Sequence, residues 1–148
     1  MSARSLSTRS GPWFFRLLRG HAMGGTASAP VVMLTVLGRR TGQPRSVCVR
    51  AIATADGWLV WGTASGAPRD PDWFRNLRAA GRAQLVVGSA EPVAVTAREL
   101  TGAEREAAWH GVVLSQLPRV ARYAAKAGRV IPLAVLSPQP GRGPETRS

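Results

Sequence analysis

The sequence predicts a small antiparallel β-barrel with short helices packed at its ends, a mainly β fold of the α+β class. Three observations lead there. About six apolar or alternating segments of strand length recur between residues 31 and 136. Clusters of Gly, Pro and Asp separate them at short intervals. The alternating βαβ order of a doubly wound sheet is absent, as are GxGxxG and GxxxxGK[ST] motifs. The 148 residues suit one domain that buries a sizeable core. The expected organisation is an N-terminal segment 1–29, a barrel 30–137 and a disordered tail 138–148.

Residues 1–11 are rich in Ser and Arg and read as disordered. Pro12 opens a short basic amphipathic helix carrying Trp13, Phe14, Leu17 and Leu18 beside Arg16 and Arg19. Such a helix either packs on the barrel or faces a membrane surface or the substrate. Gly24 to Pro30 is linker-like. Val31 to Leu37 is nearly all apolar and predicts a buried strand. Gly38 to Pro44 is a turn, and Arg45 to Thr54 alternates as the second strand. Asp56-Gly57 signals a hairpin into a third strand, Trp58 to Thr63, completing an antiparallel meander. Asp70-Pro71-Asp72 predicts a helix start with Asp70 as N-cap, running to Ala80 and stopping at Gly81. Ala83 to Val87 and Pro92 to Glu99 are strands joined around Gly88-Ser89. Thr101 with Glu104 matches a capping box for a helix to about Leu117. A further helix runs from Pro118 to Ala127 and ends at Gly128. Val130 to Leu136 is the last strand.

The charge is uneven. There are 20 basic and 8 acidic residues, a net +12. Eight arginines (Arg4, Arg9, Arg16, Arg19, Arg39, Arg40, Arg45 and Arg50) precede the first acid, Asp56. Such a segment calls for an anion, a membrane surface or acids from elsewhere in the chain. The single cysteine, Cys48, excludes an internal disulfide and any multi-Cys zinc site. It lies inside a strand and reads as a small buried hydrophobe. Two histidines, His21 and His110, form no His-rich metal centre, and each reads as a surface or half-buried residue. No metal is expected. No apolar run reaches the ~20 residues of a membrane-spanning helix. The apolar stretch near the N-terminus is broken by Arg16 and Arg19, unlike a secretory signal. The expected location is the cytoplasm, with membrane contact through residues 12–20.

Two segments carry the tools of chemistry. Gly38-Arg39-Arg40-Thr41-Gly42-Gln43-Pro44-Arg45 gathers three guanidiniums, a hydroxyl and glycine-exposed N–H groups. It is either a grip for phosphate or carboxylate oxygens or an ordinary solvated turn. Trp61-Gly62-Thr63-Ala64-Ser65-Gly66 and the helix start Asp70 to Asn76 bring small residues, a helix N-terminus and aromatics together. Trp73 and Phe74 either wall a planar cofactor or belong to the core. Asn76 in mid-helix suggests a specific hydrogen-bond duty, functional or structural. No Ser/His/Asp triad and no paired catalytic carboxylates stand out. An enzyme so equipped would take its chemistry from a cofactor.

Four segments occur in order: Leu34 to Arg45, Asp70 to Leu77, Val95 to Glu106 and Arg129 to Pro132. Together they closely resemble the deazaflavin-dependent nitroreductase family, which includes quinone reductases, over about residues 12–137. The resemblance implies a split β-barrel like that of FMN-binding proteins. It implies coenzyme F-420, whose reduced form passes a hydride to a quinone, enone or nitroaromatic. Matching the family's motifs position by position assigns Arg40, Thr41 and Arg45 to the coenzyme's phosphate and acidic tail, with Gly42 and Gln43 in the same loop; Arg39 beside them is counted toward the same anion. The same matching sets Gly62, Thr63 and Ala64 along the deazaflavin ring, with Trp73 and Asn76 as further cofactor residues. On the acceptor side it implies the positions of Arg50 and Tyr123, with Tyr123 also a candidate to polarise the acceptor; Trp13 joins them as a substrate residue through the substrate-facing reading of its helix.

The chain departs from the nitroreductase pattern on that side. It has one tyrosine, Tyr123, where family members line the pocket with several. Arg50 stands where an aromatic is found, and Ala64 where a lysine sometimes is. The cofactor half of the resemblance therefore carries over better than the substrate half. Two alternatives remain: an FMN- or haem-binding split barrel, and a basic nucleic-acid-binding module. No nucleic-acid motif supports the second. Oligomeric state is not legible in the sequence.

Overall fold

A computed structural model describes residues 29–55 and 57–139. The expected helix at 12–20, with Trp13 and His21, and most of the tail lie outside these residues. Seven antiparallel strands form one curled sheet: β1 (Val31–Leu37), β2 (Pro44–Arg50), β3 (Ile52–Thr54), β4 (Gly57–Trp61), β5 (Arg82–Val86), β6 (Val93–Glu99) and β7 (Leu133–Pro138). Their spatial order is β2-β1-β5-β6-β7-β4-β3. The helices are α1 (Asp72–Ala80), α2 (Gly102–Ala108) and α3 (Val120–Ala127). Between α2 and α3 the chain runs through a π-helical turn, Trp109–Val113, and a last helical turn, Leu114–Gln116.

The expected second strand is two strands. Residues 44–50 pair with β1, while 52–54 pair with β4. These are opposite edges of the sheet, separated in sequence by Ala51 alone. Arg50 and Ile52 can be no more than ~7 Å apart, so the sheet must curl until its edges meet there. Ala51 is buried at this corner, and its N–H donates to the Pro30 carbonyl at 3.0 Å. The expected three-strand meander is therefore two hairpins, β1–β2 and β3–β4, at opposite edges of the sheet, and the split raises the strand count to seven.

Two cores result, on the two faces of the sheet. Val32, Leu34, Val36, Val60, Phe74 and Leu136 pack with α1 inside the curl. Leu59, Trp61, Trp109, Val113, Leu133 and Val135 pack against the helices after β6. Strands β4 and β7 send alternate residues into each core, and so read as continuous apolar runs. β1 does not fit that description, although its sequence does. Val31, Met33 and Leu37 are exposed on its outer face. Cys48, paired with Met33 in register, is exposed too, correcting the expectation of a buried thiol.

Helix ends follow the sequence in part. Gly81 caps α1 in the left-handed region (φ 71°), its N–H donating to Leu77 O at 2.8 Å, and Gly128 (φ 65°) ends α3 likewise. The N-cap of α1 is Pro71, not Asp70, whose carboxylate serves Arg129 and Arg78 instead. Thr101 makes no capping bond, and Glu104 is held in a two-point pair by Arg98 at 3.0 and 2.7 Å. A charge-assisted fork outcompetes a lone backbone N–H for that carboxylate. Among the described residues no helix is long and apolar enough to cross a membrane, and no cluster of His, Cys, Asp and Glu is placed to hold a metal.

Candidate active site

The turn between β1 and β2 is shaped by its own backbone. Gly42 N–H donates to Gly38 O and Gly38 N–H to Gln43 O, both at 2.8 Å. Gly42 sits at φ 72°, which favours glycine. The Thr41 hydroxyl accepts from Gln43 N–H at 3.1 Å. A recess of about 210 Å³ opens here, lined by Gly38, Arg39, Arg40, Thr41, Arg45 and, from α1, Asp72 and Asn76. Gly42 and Gln43 build the turn and do not line the recess.

The three arginines are not equivalent. Arg39 is committed to the protein. Its N–H and Nη1 both donate to Asn76 Oδ1, at 3.1 and 2.6 Å, and Nη2 reaches Asp72 at 3.3 Å. Asn76 is 5% exposed, so its unusual place in mid-helix is explained: it pins the turn to α1. Arg40 and Arg45 have no carboxylate within ion-pair reach among the described residues. They leave the recess positive.

A second, larger recess of about 620 Å³ lies on the other side of the first turn of α1. Asp72 lines the small recess and Trp73 the large one. Trp61 is a second aromatic wall, and Thr63, Ala64 and Ser65 line it with small side chains. Phe74 is fully buried and belongs to the core. The rim includes Arg50 from β2, and Arg119 and Tyr123 from the start and body of α3. Tyr123 is 41% exposed. The π-helical turn lies just before residues 116–120, which complete this rim, a frequent setting for π turns.

The small-residue loop is strained and clamped. Ala64 and Ser65 adopt φ of 49° and 55°, unfavourable for residues with a Cβ. Arg129 holds the loop with all three guanidinium nitrogens: Nε donates to Ala67 O at 3.1 Å, Nη2 to Thr63 O at 3.1 Å and Nη1 to Asp70 at 2.8 Å. The other Asp70 oxygen accepts from Arg78 at 3.1 Å. Arg78 is held above the ordinary guanidinium range, chiefly by its hydrogen bond to Glu99, with the bond to Asp70 adding to it. Gly62 does not line the recess. It is buried, and a Cβ there would meet Pro71 at 3.0 Å and Pro132 at 3.3 Å. Its small size serves packing between two prolines rather than the approach of a ring.

The structure gathers Arg39, Arg40, Thr41, Arg45 and Asn76 around the small recess, and Thr63, Ala64, Trp73, Arg50 and Tyr123 around the large one. The sequence instead groups Asn76 with Trp73, and sets Arg50 and Tyr123 apart from the small-residue loop. It assigns no role to Ser65, Arg119 or Arg129, although Ser65 lies in the small-residue segment and Arg129, directly after the Gly128 helix stop, opens the last of the four resembling segments. His110 is exposed beside Glu106 at 3.3 Å and lines neither recess.

The site fits a long, flat-headed, anionic-tailed ligand: an aromatic-walled recess next to an uncompensated pair of arginines. Comparison with known proteins agrees. Residues 7–138 match the family described as F-420H(2)-dependent quinone reductase. An F-420H(2)-dependent quinone reductase of Mycobacterium tuberculosis is 29% identical over 120 residues, covering 80% of this chain and 78% of that protein. The solved structure of an F-420-H2 dependent reductase, FDR-A, superposes with TM-score 0.63 at 29% identity, covering 73% of this chain and 94% of its own. A solved domain-swapped dimer superposes with TM-score 0.64 at 27% identity, covering 91% and 96%. The fold is thus a split barrel of the FMN-binding type, and the coenzyme the family implies is F-420. The chain belongs to the F-420H(2)-dependent quinone reductase family.

Proposed function

We propose that the two recesses divide the work of an F-420H2-dependent quinone reductase between them. The observation that carries this is the first turn of α1, which presents Asp72 to one recess and Trp73 to the next. Arg40 and Arg45, with the Thr41 hydroxyl at the same recess, would hold the coenzyme's phosphate and acidic tail. Asn76 and Arg39 keep that grip in place. Trp73, Thr63 and Ala64 would bound the ring, and Gly62 would act through the packing of that loop. When bound, the reduced deazaflavin supplies a hydride. The protein's part is positioning, exclusion of water and electrostatics. Arg50 and Tyr123 border the acceptor's share of the cleft, where the Tyr123 hydroxyl would donate to an acceptor oxygen.

Titration of the full chain with coenzyme, followed by deazaflavin fluorescence, tests this reading. Binding should weaken with salt, and Arg45→Ala should cost about tenfold in affinity, ~1.4 kcal/mol. FMN binding in preference to F-420, or an Arg45→Ala protein with unchanged affinity, contradicts it.

The acceptor partner extends the proposal to the membrane surface. Residues 12–20 combine Trp13, Phe14, Leu17 and Leu18 with Arg16 and Arg19, a composition suited to anionic lipid and to a lipid-soluble quinone. Co-sedimentation with anionic liposomes should fall several-fold when residues 1–20 are removed. Equal sedimentation of both proteins removes this part of the proposal.

A further inference from the structure

The larger cleft carries two arginines, Arg50 at the end of β2 and Arg119 at the start of α3, and no Asp or Glu among its described lining residues. Arg50 is anchored by Nη1, which donates to Ala29 O at 3.0 Å. Its remaining donors have no partner among the described residues. Arg119 occupies the N-cap of α3, a position where Ser, Asp or Asn is the usual choice, and no acid follows in the first turn. Neither guanidinium has a carboxylate within ion-pair reach among the described residues. Two cations beside apolar Val49, Leu117 and Pro118 leave this cleft with positive charge that no carboxylate of its lining offsets. A ligand that supplies the negative charge makes such an arrangement more favourable.

We infer that this cleft selects quinone acceptors that carry an anionic group beside the flat ring, with Arg50 and Arg119 as the residues that read it. The inference rests on the proposed placing of the acceptor in this cleft. It adds no chemical step. The arginines of the coenzyme recess line a separate space, so the two sets of charges are separable by mutation.

The test is direct binding to the full chain without coenzyme, read by tryptophan quenching, since Trp61 and Trp73 line the cleft. Two probes of equal shape are compared. One is a naphthoquinone with both free quinone-ring carbons methylated. The other replaces one methyl by the acidic hydroxyl, ionised at neutral pH. Neither leaves a ring carbon open to addition by the exposed Cys48 thiol.

The ionised probe should bind about tenfold tighter, with a preference that shrinks in salt. The double variant Arg50→Gln, Arg119→Gln should bring the two affinities together, chiefly by weakening the ionised probe, with an unchanged urea-unfolding midpoint showing that the fold is intact. Arg122→Gln, on the same helix but outside the lining, should keep the preference. Equal affinities in the parent protein overturn the inference. So does a preference that survives the double variant, or one that Arg122→Gln abolishes equally. Oxidation of reduced coenzyme by the neutral probe is followed in parallel. Turnover there with equal binding affinities sinks the inference alone, whereas no turnover with any quinone sinks the reading beneath it.

Discussion

Arg129→Met is expected to lower stability by about 2 kcal/mol, seen as an earlier midpoint in urea unfolding. The methionine keeps the buried stem but removes all three donors. Thr63 O and Ala67 O lose their bonds, and Asp70 keeps only Arg78. The Arg129 and Asp70 side chains are 15% and 23% exposed, so water replaces the missing donors poorly. The loop has little reserve, because Ala64 and Ser65 already sit at positive φ, at a cost of roughly 1–2 kcal/mol each. Coenzyme affinity should fall as well, since the same loop lines the cleft. Arg129→Lys should recover only part of the loss: one ammonium cannot span three acceptors fixed in a planar fork. A midpoint shifted by less than ~0.5 kcal/mol would mean the loop holds its shape without the clamp.

The fold was legible where local rules and the tertiary structure agree. Val31–Leu37 is a strand to the residue, and Gly81 and Gly128 end their helices, because apolar periodicity and the left-handed cap are local properties. What failed was decided by distant parts of the chain. No signal in residues 45–54 shows that Ala51 turns a corner, because the corner exists only when the sheet's two edges meet. Glu104 looks like a capping residue until Arg98 arrives from β6, and Asp70 until Arg129 and Arg78 do. The apolar outer face of β1 reads as buried by hydropathy alone, yet Val31, Met33 and Leu37 are exposed.

The candidate site was legible as two segments of the chain, less so as recesses or roles: Asn76, read with Trp73, lines the recess of the arginine turn instead. Gly62 and Arg39 were both marked for the coenzyme, one for its small size and one for its charge. In the folded chain the missing Cβ of Gly62 makes room for prolines. The charge of Arg39 is taken up by Asn76 and Asp72. The excess of arginine ahead of the first acid therefore has several fates among the described residues. Arg39 is structural, Arg40 and Arg45 face the small recess, and Arg50 faces the cleft. Residue type marked where charge was available, and only three-dimensional accounting shows which charge is left over for a ligand.

Asn76 separates these two kinds of charge, and its variants should have large and distinct effects. Asn76→Leu leaves the Arg39 N–H and guanidinium without their buried acceptor. Coenzyme affinity should fall about thirtyfold, ~2 kcal/mol, as the turn carrying Arg40 and Arg45 comes away from α1. Stability should fall with it. Asn76→Asp keeps an oxygen where Arg39 needs one and pairs its charge, so the unfolding midpoint should stay close to that of the parent. It also puts a carboxylate at a recess built for anions. Affinity should therefore drop at low salt and approach the parent's as salt screens the repulsion. Fluorescence titrations at two ionic strengths, beside urea unfolding of both variants, separate the effects. If the aspartate variant binds coenzyme as well as the parent at low salt, the anion does not sit in this recess. If the leucine variant binds as well, the pinning of the turn to α1 has no part in holding it.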